Sequence, residues 1–169
     1  PYYNFSTVLE KKYLNGSIGF SSNGSNNLNN TNDLKSRIVN NINYRTDNYI
    51  TNIGIANNFD INLKNLNSLG KKNADYKSSP QMELVSIFSA NTSFPLIKKE
   101  QKYTEYLTPK LSLRFNPSDM KDYSDSGKTI DVGNIFSVTR LGLGDTYETG
   151  RSLTLGLDYK RENKELENI

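Results

Sequence analysis

The feature that most restricts this chain is an alternation of apolar and polar residues with a period of two, repeated along most of its length. A strand places successive side chains on opposite faces, so such a period predicts strands with one apolar and one polar face. From Tyr103 to Phe115 one face carries Leu107, Pro109, Leu111, Leu113 and Phe115, and the other carries Thr104, Thr108, Lys110, Ser112 and Arg114. From Ile53 to Leu63 the apolar set is Ile53, Ile55, Phe59, Ile61 and Leu63, set against Gly54, Ala56, Asn58, Asp60 and Asn62. Leu153, Leu155, Leu157 and Tyr159 alternate with Thr154, Gly156, Asp158 and Lys160. Further strands are predicted at 2–9, 13–22 (Leu14, Ile18, Phe20), 34–45 (Leu34, Ile38, Ile42, Tyr44) and 81–91. The last has apolar residues on both faces, with Leu84, Val85, Ile87 and Phe88 in sequence.

These runs are long for a soluble sheet, whose strands average about 5–6 residues, and they suit a tilted membrane-crossing strand of about 9–11. The polar faces are rich in Asn, Ser, Thr and Gly, as in the wet interior of a barrel whose apolar face meets lipid. Composition agrees. Hydrophobic residues make up 34% of the 169 residues and mean hydropathy is −0.69, with no apolar run near the roughly 20 residues of a transmembrane helix. Disorder is argued against by 11 Tyr and 7 Phe. Tyr3, Tyr44, Tyr49, Tyr103, Tyr106 and Tyr159 near strand ends fit interfacial girdles. The expected fold is therefore all-β, an antiparallel meander forming a segment of a large transmembrane β-barrel with long extracellular loops. A soluble sheet with one packed face, such as a carbohydrate-binding β-sandwich, is the alternative on pattern alone.

Links are expected near 10–12, 23–33, 46–48, 65–80, 92–102 and 117–150. Short and long links alternate, as periplasmic turns and extracellular loops do in outer-membrane barrels, which places 23–33, 65–80 and 117–150 outside the cell. Asn23-Gly24-Ser25-Asn26-Asn27 and Asn116-Pro117-Ser118-Asp119 carry turn-forming residues. A structureless link as long as 117–150 is uncommon, so it is expected to have its own structure, with Ile130, Val132, Ile135, Phe136 and Val138 as buried contacts. Residues 1–169 read as one barrel domain without an internal boundary. The opening Pro1-Tyr2-Tyr3 and the charged run 160–165 predict a piece of a longer chain. The abundant Asn, Lys and Ile point to an AT-rich bacterial genome.

Catalytic chemistry finds little footing. Without Cys or His there is no thiolate or His-liganded metal site and no Ser-His-Asp triad. Gly127-Lys128-Thr129 resembles the end of a phosphate-binding loop, but Asp122 stands where an earlier Gly is required. Asp119, Asp122, Asp125 and Asp131 crowd one link without the spacing of a calcium loop and read as solvated acids. No carboxylate pair is positioned for glycoside hydrolysis. The expectation is a protein that is not an enzyme and takes no cofactor or metal. A net charge of +3 is too small an imbalance for nucleic-acid binding. On the polar faces, Lys110 and Arg114, with Lys35, Arg37 and Arg45 on another strand, are candidate lumen contacts for phosphate groups of an anionic lipid. The plainer reading pairs them with Asp60 or Asp158.

The stretch from 103 to 160 resembles the lipopolysaccharide-assembly outer-membrane protein family, the LptD barrel. The likeness runs through Leu107-Thr108-Pro109-Lys110, Asn116-Pro117-Ser118-Asp119, Asn134-Ile135-Phe136, Arg140-Leu141-Gly142 and Gly144-Asp145. It continues in Gly150-Arg151-Ser152-Leu153-Thr154-Leu155-Gly156-Leu157, with Ser79-Pro80-Gln81 and Phe94-Pro95-Leu96 similar to the preceding hairpin. It covers about half the chain, the first 60 residues sharing only general barrel character. The resemblance implies a cell outer-membrane location in a Gram-negative bacterium and a many-stranded barrel plugged by a lipoprotein partner. That barrel receives lipopolysaccharide from periplasmic bridge proteins and inserts it into the outer leaflet. It implies framework roles for Pro109, Asn134, Phe136, Arg140, Gly142, Asp145, Gly150, Thr154 and Gly156, with Arg140 paired to Asp145. A porin or nutrient channel is the alternative within the same membrane.

Overall fold

The computed structural model describes residues 1–11, 15–30 and 32–163. They form nine strands: β1 (Tyr2–Lys11), β2 (Gly16–Asn29), β3 (Asp33–Thr46), β4 (Tyr49–Ile50), β5 (Ala56–Lys71), β6 (Gln81–Ser93), β7 (Leu96–Lys99), β8 (Tyr103–Asn116) and β9 (Gly150–Asn163). All belong to one open antiparallel sheet, and the described residues hold no α-helix, only a 3-10 turn at Ser124–Ser126. Among the described residues no second sheet packs on the first, as a β-sandwich would need.

The topology is a meander. β4 follows β3 and pairs with the same neighbour, β5; β7 follows β6 and likewise pairs with β8. With β4 and β7 taken as continuations, each course pairs with the next along the chain. The seven long strands span 10–16 residues. Pro109 shows how one course tolerates a break. Its carbonyl accepts a hydrogen bond from Phe94 N at 3.0 Å. A residue's N–H and C=O leave an antiparallel strand on the same side, so the missing proline donor faces the gap at Phe94–Pro95 between β6 and β7. The opposite ladder, β8 on β9, runs unbroken from Tyr103 to Asn116.

Several predicted boundaries move. Residues 23–29 lie in β2 and not in a loop, because β3 pairs along all of them and β1 along Asn23–Ser25, and the β2–β3 link shrinks to 30–32. Ile53 lies in a turn closed by Gly54 N to Thr51 O at 2.9 Å, so the strand predicted from 53 starts at Ala56 and runs on to Lys71. The link expected at 46–48 is 51–55, and that expected at 92–102 is the tight turn 100–102, where Glu100 N meets Tyr103 O at 2.9 Å. Part of the first link, with Leu14, falls outside the described residues. The corrected links are short at one end of the sheet (51–55, 100–102). At the other end they lengthen along the chain, as 30–32, 72–80 and 117–149.

The two faces invert the usual sidedness. On β9, Leu155 is 72% exposed while Thr154 beside it is 7% exposed. On β8, Leu113 and Phe115 are 50% and 42% exposed, whereas Ser112 and Arg114 between and beside them are buried. Asp60, Lys64, Ser68 and Ser89 are also buried, and Phe59, Met82, Leu84 and Phe88 on the other face of the same strands are bare. Direct cross-strand partners share a face, so rows such as Ser112–Thr154 and Leu113–Leu153 keep the two chemistries apart. The buried polar row is cross-linked: Ser112 Oγ donates to Asn91 Oδ1 at 2.7 Å, and Asn91 Nδ2 donates to Asn58 Oδ1 and Asp60 Oδ2 at 2.9 and 3.0 Å.

A small apolar cluster interrupts the polar face. Val85 and Ile87 turn toward it and pack with Tyr147 and Val138 of the long link. That accounts for a strand apolar on both sides: Met82, Leu84 and Phe88 face outward, and Val85 and Ile87 lie beneath the link.

Candidate functional site: a long link inlaid on the polar face

Residues 117–149 fold back over the polar face, and two buried cations of the sheet hold them there. Lys64 of β5 donates from Nζ to the carbonyls of Leu143, Gly144 and Thr146 at 3.1, 3.0 and 3.2 Å. The same ammonium lies 4.3 Å from the centroid of the Tyr147 ring. All three donors are used, so a charge that would be costly to bury alone is matched by backbone dipoles.

Arg114 of β8 plays the corresponding part. Its Nε donates to Val138 O at 3.0 Å and its Nη2 to Glu148 O at 2.7 Å, with Nη1 3.8 Å from Glu148 Oε1 in ion contact only. Glu148 also takes a two-pronged contact from Arg140, and Asn116 Nδ2 donates to Glu148 O at 3.0 Å. The planar guanidinium suits this bridge between a carbonyl and a carboxylate. The pairing of Arg140 with Asp145 implied by the resemblance is not formed, because Glu148 lies within reach of both arginines. Asp145 instead meets Arg37 of β3, with Nη2 2.8 Å from Oδ1 in ion-pair contact without hydrogen-bond alignment. Its other oxygen accepts from Tyr76 Oη at 2.6 Å, which ties 117–149 to the 72–80 link.

Burial and the bond to the Asp145 carboxylate together push the Tyr76 phenol up to about 12. Burial alone raises that of Tyr147. In the exposed part of the link, backbone and side-chain bonds from Ser124 lower the Asp122 carboxyl.

The remaining sequence-predicted positions divide between clasp and framework. Phe136 lies on the sheet where Gly156 leaves room: a Cβ at 156 would stand 2.5 Å from Phe136 Cζ, and the ring is 5.9 Å from Lys110 Nζ. Lys110 pairs with Asp158. Thr154 is buried opposite Ser112. Gly150 has φ +92° and Gly142 φ +57°, left-handed conformations that other residues adopt at a cost. Asn134 works locally, with Oδ1 accepting from Asp131 N and Nδ2 donating to Thr129 O, both at 2.8 Å. That self-bonded turn holds Ile130 and Val132 away from the sheet, so these two are exposed and not the buried contacts expected. No metal-holding group of acids occurs among the described residues.

Sequence reasoning missed Lys64, Glu148 and Tyr76. Lys64 is the one cation on the polar face of β5, a period-two signal that was readable. Tyr76 has its partner 69 residues away, and Glu148, although Arg140 stands only eight residues before it, also meets Arg114 from 34 residues away, so neither role is marked locally.

Between the inlaid link and β2, β3 and β5 a polar cavity of about 720 Å³ stays open. Ser17, Ser21, Asn41, Asn43 and Asn62 line it, offering amide and hydroxyl groups suited to a hydroxylated ligand. No family model, curated protein or solved structure matches the chain.

Replacing Lys64 by Met leaves three carbonyls without their donor and is expected to weaken docking of the link by about 2–3 kcal/mol. Hydrogen exchange at amides 138–147 should accelerate on the order of 100-fold, with the β2–β3 ladder unchanged. Equal protection in the variant would remove the clasp role of Lys64. Tyr76 supplies a pH test. Its phenol ionises near 10.0 when free and near 12 in place, so its support is complete below pH 10 and lost as pH rises through about 12. Exchange at 143–148 should show a step in that window that Tyr76→Phe abolishes.

Proposed function

We propose that this chain is part of the wall of an outer-membrane β-barrel belonging to a lipopolysaccharide-assembly translocon. The observation that carries the barrel reading is the inverted sidedness of the sheet. The face covered by protein is polar and charged, and the bare face holds Phe59, Phe88, Leu113, Leu153, Leu155 and Leu157. In water that arrangement would expose apolar area with a free-energy penalty of about 25 cal/mol per Å². In a membrane the same face meets hydrocarbon and the polar face meets a hydrated lumen. Strands of 10–16 residues are long enough to cross with tilt.

The translocon reading rests on the motif resemblance between 103 and 160. It gives this segment a passive role: the wall satisfies its backbone bonds in lipid, and the lumen accepts the sugar-phosphate end of lipopolysaccharide. Arg114 is committed to the inlaid link, so Lys110, which is half-exposed beside Asp158, is the better placed of the two candidate anion contacts. The cavity beside Asn41 and Asn43 suits sugar hydroxyls. A plugging lipoprotein and a periplasmic bridge complete the proposed assembly. A channel whose loop narrows its lumen is the second reading, favoured by the way 117–149 lies across the polar face.

These 169 residues hold no Cys, so a cysteine introduced among them marks one known site of the segment. Single cysteines at Leu113, Leu153 and Leu155 in the reconstituted full-length protein, once spin-labelled, should relax with oxygen and resist a water-soluble nickel chelate. Labels at Asn43 and Asn62 should behave oppositely. Chelate access at the leucine positions would sink the barrel reading. For the substrate, a photo-crosslinking residue in place of Asn43 or Lys110 should capture lipopolysaccharide in growing cells. Ion conductance in planar bilayers without such capture would select the channel.

A further inference from the structure

On the bare side of the sheet, β5, β6, β8 and β9 form a groove of about 960 Å³, near the upper end of the range for small-molecule sites. Two cross-strand rows build it. In the first, Ala90 lies between Phe59 and Leu113, with Leu153 beyond; the small residue leaves a depression between large neighbours. In the second, Phe88 and Phe115 stand side by side and the row ends on Arg151. The Arg151 guanidinium lies 5.6 Å from the Phe115 centroid, and among the described residues no carboxylate pairs with it. An unneutralised cation thus sits at the rim of an apolar trough, at the end of the sheet nearest the long link.

We propose that this groove binds a single membrane lipid, its acyl chain along the Ala90 depression and its phosphate on Arg151. The inference rests on the membrane-wall reading above and adds a specific site to it. Hydrocarbon alone would suit any apolar face. The charge complementarity of Arg151, which reaches the trough from the same row as Phe115, selects an anionic headgroup. Cation–π contact with Phe115 orients the guanidinium and leaves donors free for phosphate oxygens.

The test uses the full-length protein in neutral detergent, equilibrated with equal phosphatidylglycerol and phosphatidylcholine, and reads retained lipid by native mass spectrometry. Wild type should retain one phosphatidylglycerol in preference to phosphatidylcholine. Arg151→Gln should lower phosphatidylglycerol retention about fivefold and leave phosphatidylcholine unchanged. Arg151→Lys should keep the preference, and Ala90→Leu, which fills the floor, should reduce retention of both. Equal retention of the two lipids by wild type, or an unchanged preference in Arg151→Gln, overturns the site. So does a dimer closed across this face and lost in Ala90→Leu. A protein that stays dispersed without detergent and retains no lipid overturns the wall reading along with the site. Detergent dependence without lipid preference overturns the site alone.

Discussion

The pleat of the sheet ties every other feature together. Side chains of a strand alternate between faces, so a slip of one residue in any ladder would carry its whole apolar set to the opposite side. In the observed register Leu111, Leu113 and Pro109 lie opposite Leu155, Leu153 and Leu157. A slip between β8 and β9 would set them against Thr154, Gly156 and Ser152. It would also move Gly156 from beneath Phe136, where the ring needs the space a side chain would fill. The unbroken β8–β9 ladder therefore fixes the site for Phe136 as well as the composition of the bare face. Pro109 is compatible with that ladder because its lost donor points at the β6–β7 break.

A sheet that buries its polar side has to hold a covering segment without a large apolar core. The cluster of Val85, Ile87, Val138 and Tyr147 is small. Charge takes up the remainder, through Lys64 on three carbonyls, Arg114 on Val138 and Glu148, and Arg37 and Tyr76 on Asp145. Such contacts are directional, so they set the position of the link more sharply than apolar packing would. They are also sensitive to truncation, since removing one partner leaves the other buried and unmatched. Sheet and link share these groups: neither Lys64 nor Arg114 is comfortable in its strand without 117–149 above it.

The strands and their faces were legible because periodicity is a local property. Leu107 through Phe115 and Leu153 through Tyr159 declare both faces within a few residues. Boundaries were less legible where local chemistry and neighbours disagree. Asn23-Gly24-Ser25-Asn26-Asn27 has turn-forming residues, yet pairing with β3 along all of it, and with β1 along Asn23–Ser25, holds it extended. Ile53 continues an alternation that the Thr51–Gly54 turn overrides. The clasp was legible in half. Arg114, Lys110 and Gly156 stand out on a strand face, whereas Glu148 and Tyr76 owe their roles to partners brought near by folding. Exposure of Ile130 and Val132 was unforeseeable from hydrophobicity, because the Asp131–Asn134 bonds decide which way that turn projects.

The bare face and the free edges of the sheet bear on the same question from independent directions. β1 and β9 each present one unpaired edge within the described residues, and an edge of ten or more residues is a template for further pairing. Water would solvate those backbone groups but leave the leucines of β9 exposed. Hydrocarbon would accommodate the leucines but leave the edges without partners. The proposed barrel would meet both demands together, since closure in a membrane would match the edges and the apolar face at once. The outward side also carries a polar rung that answers its own hydrogen-bonding needs. Ser22 Oγ donates to Asn40 Oδ1 at 2.7 Å, Asn40 Nδ2 to Asn65 Oδ1 at 3.3 Å, and Asn67 Nδ2 to Asn65 Oδ1 at 2.6 Å. These amides sit among apolar neighbours on the outward face and satisfy one another across three strands.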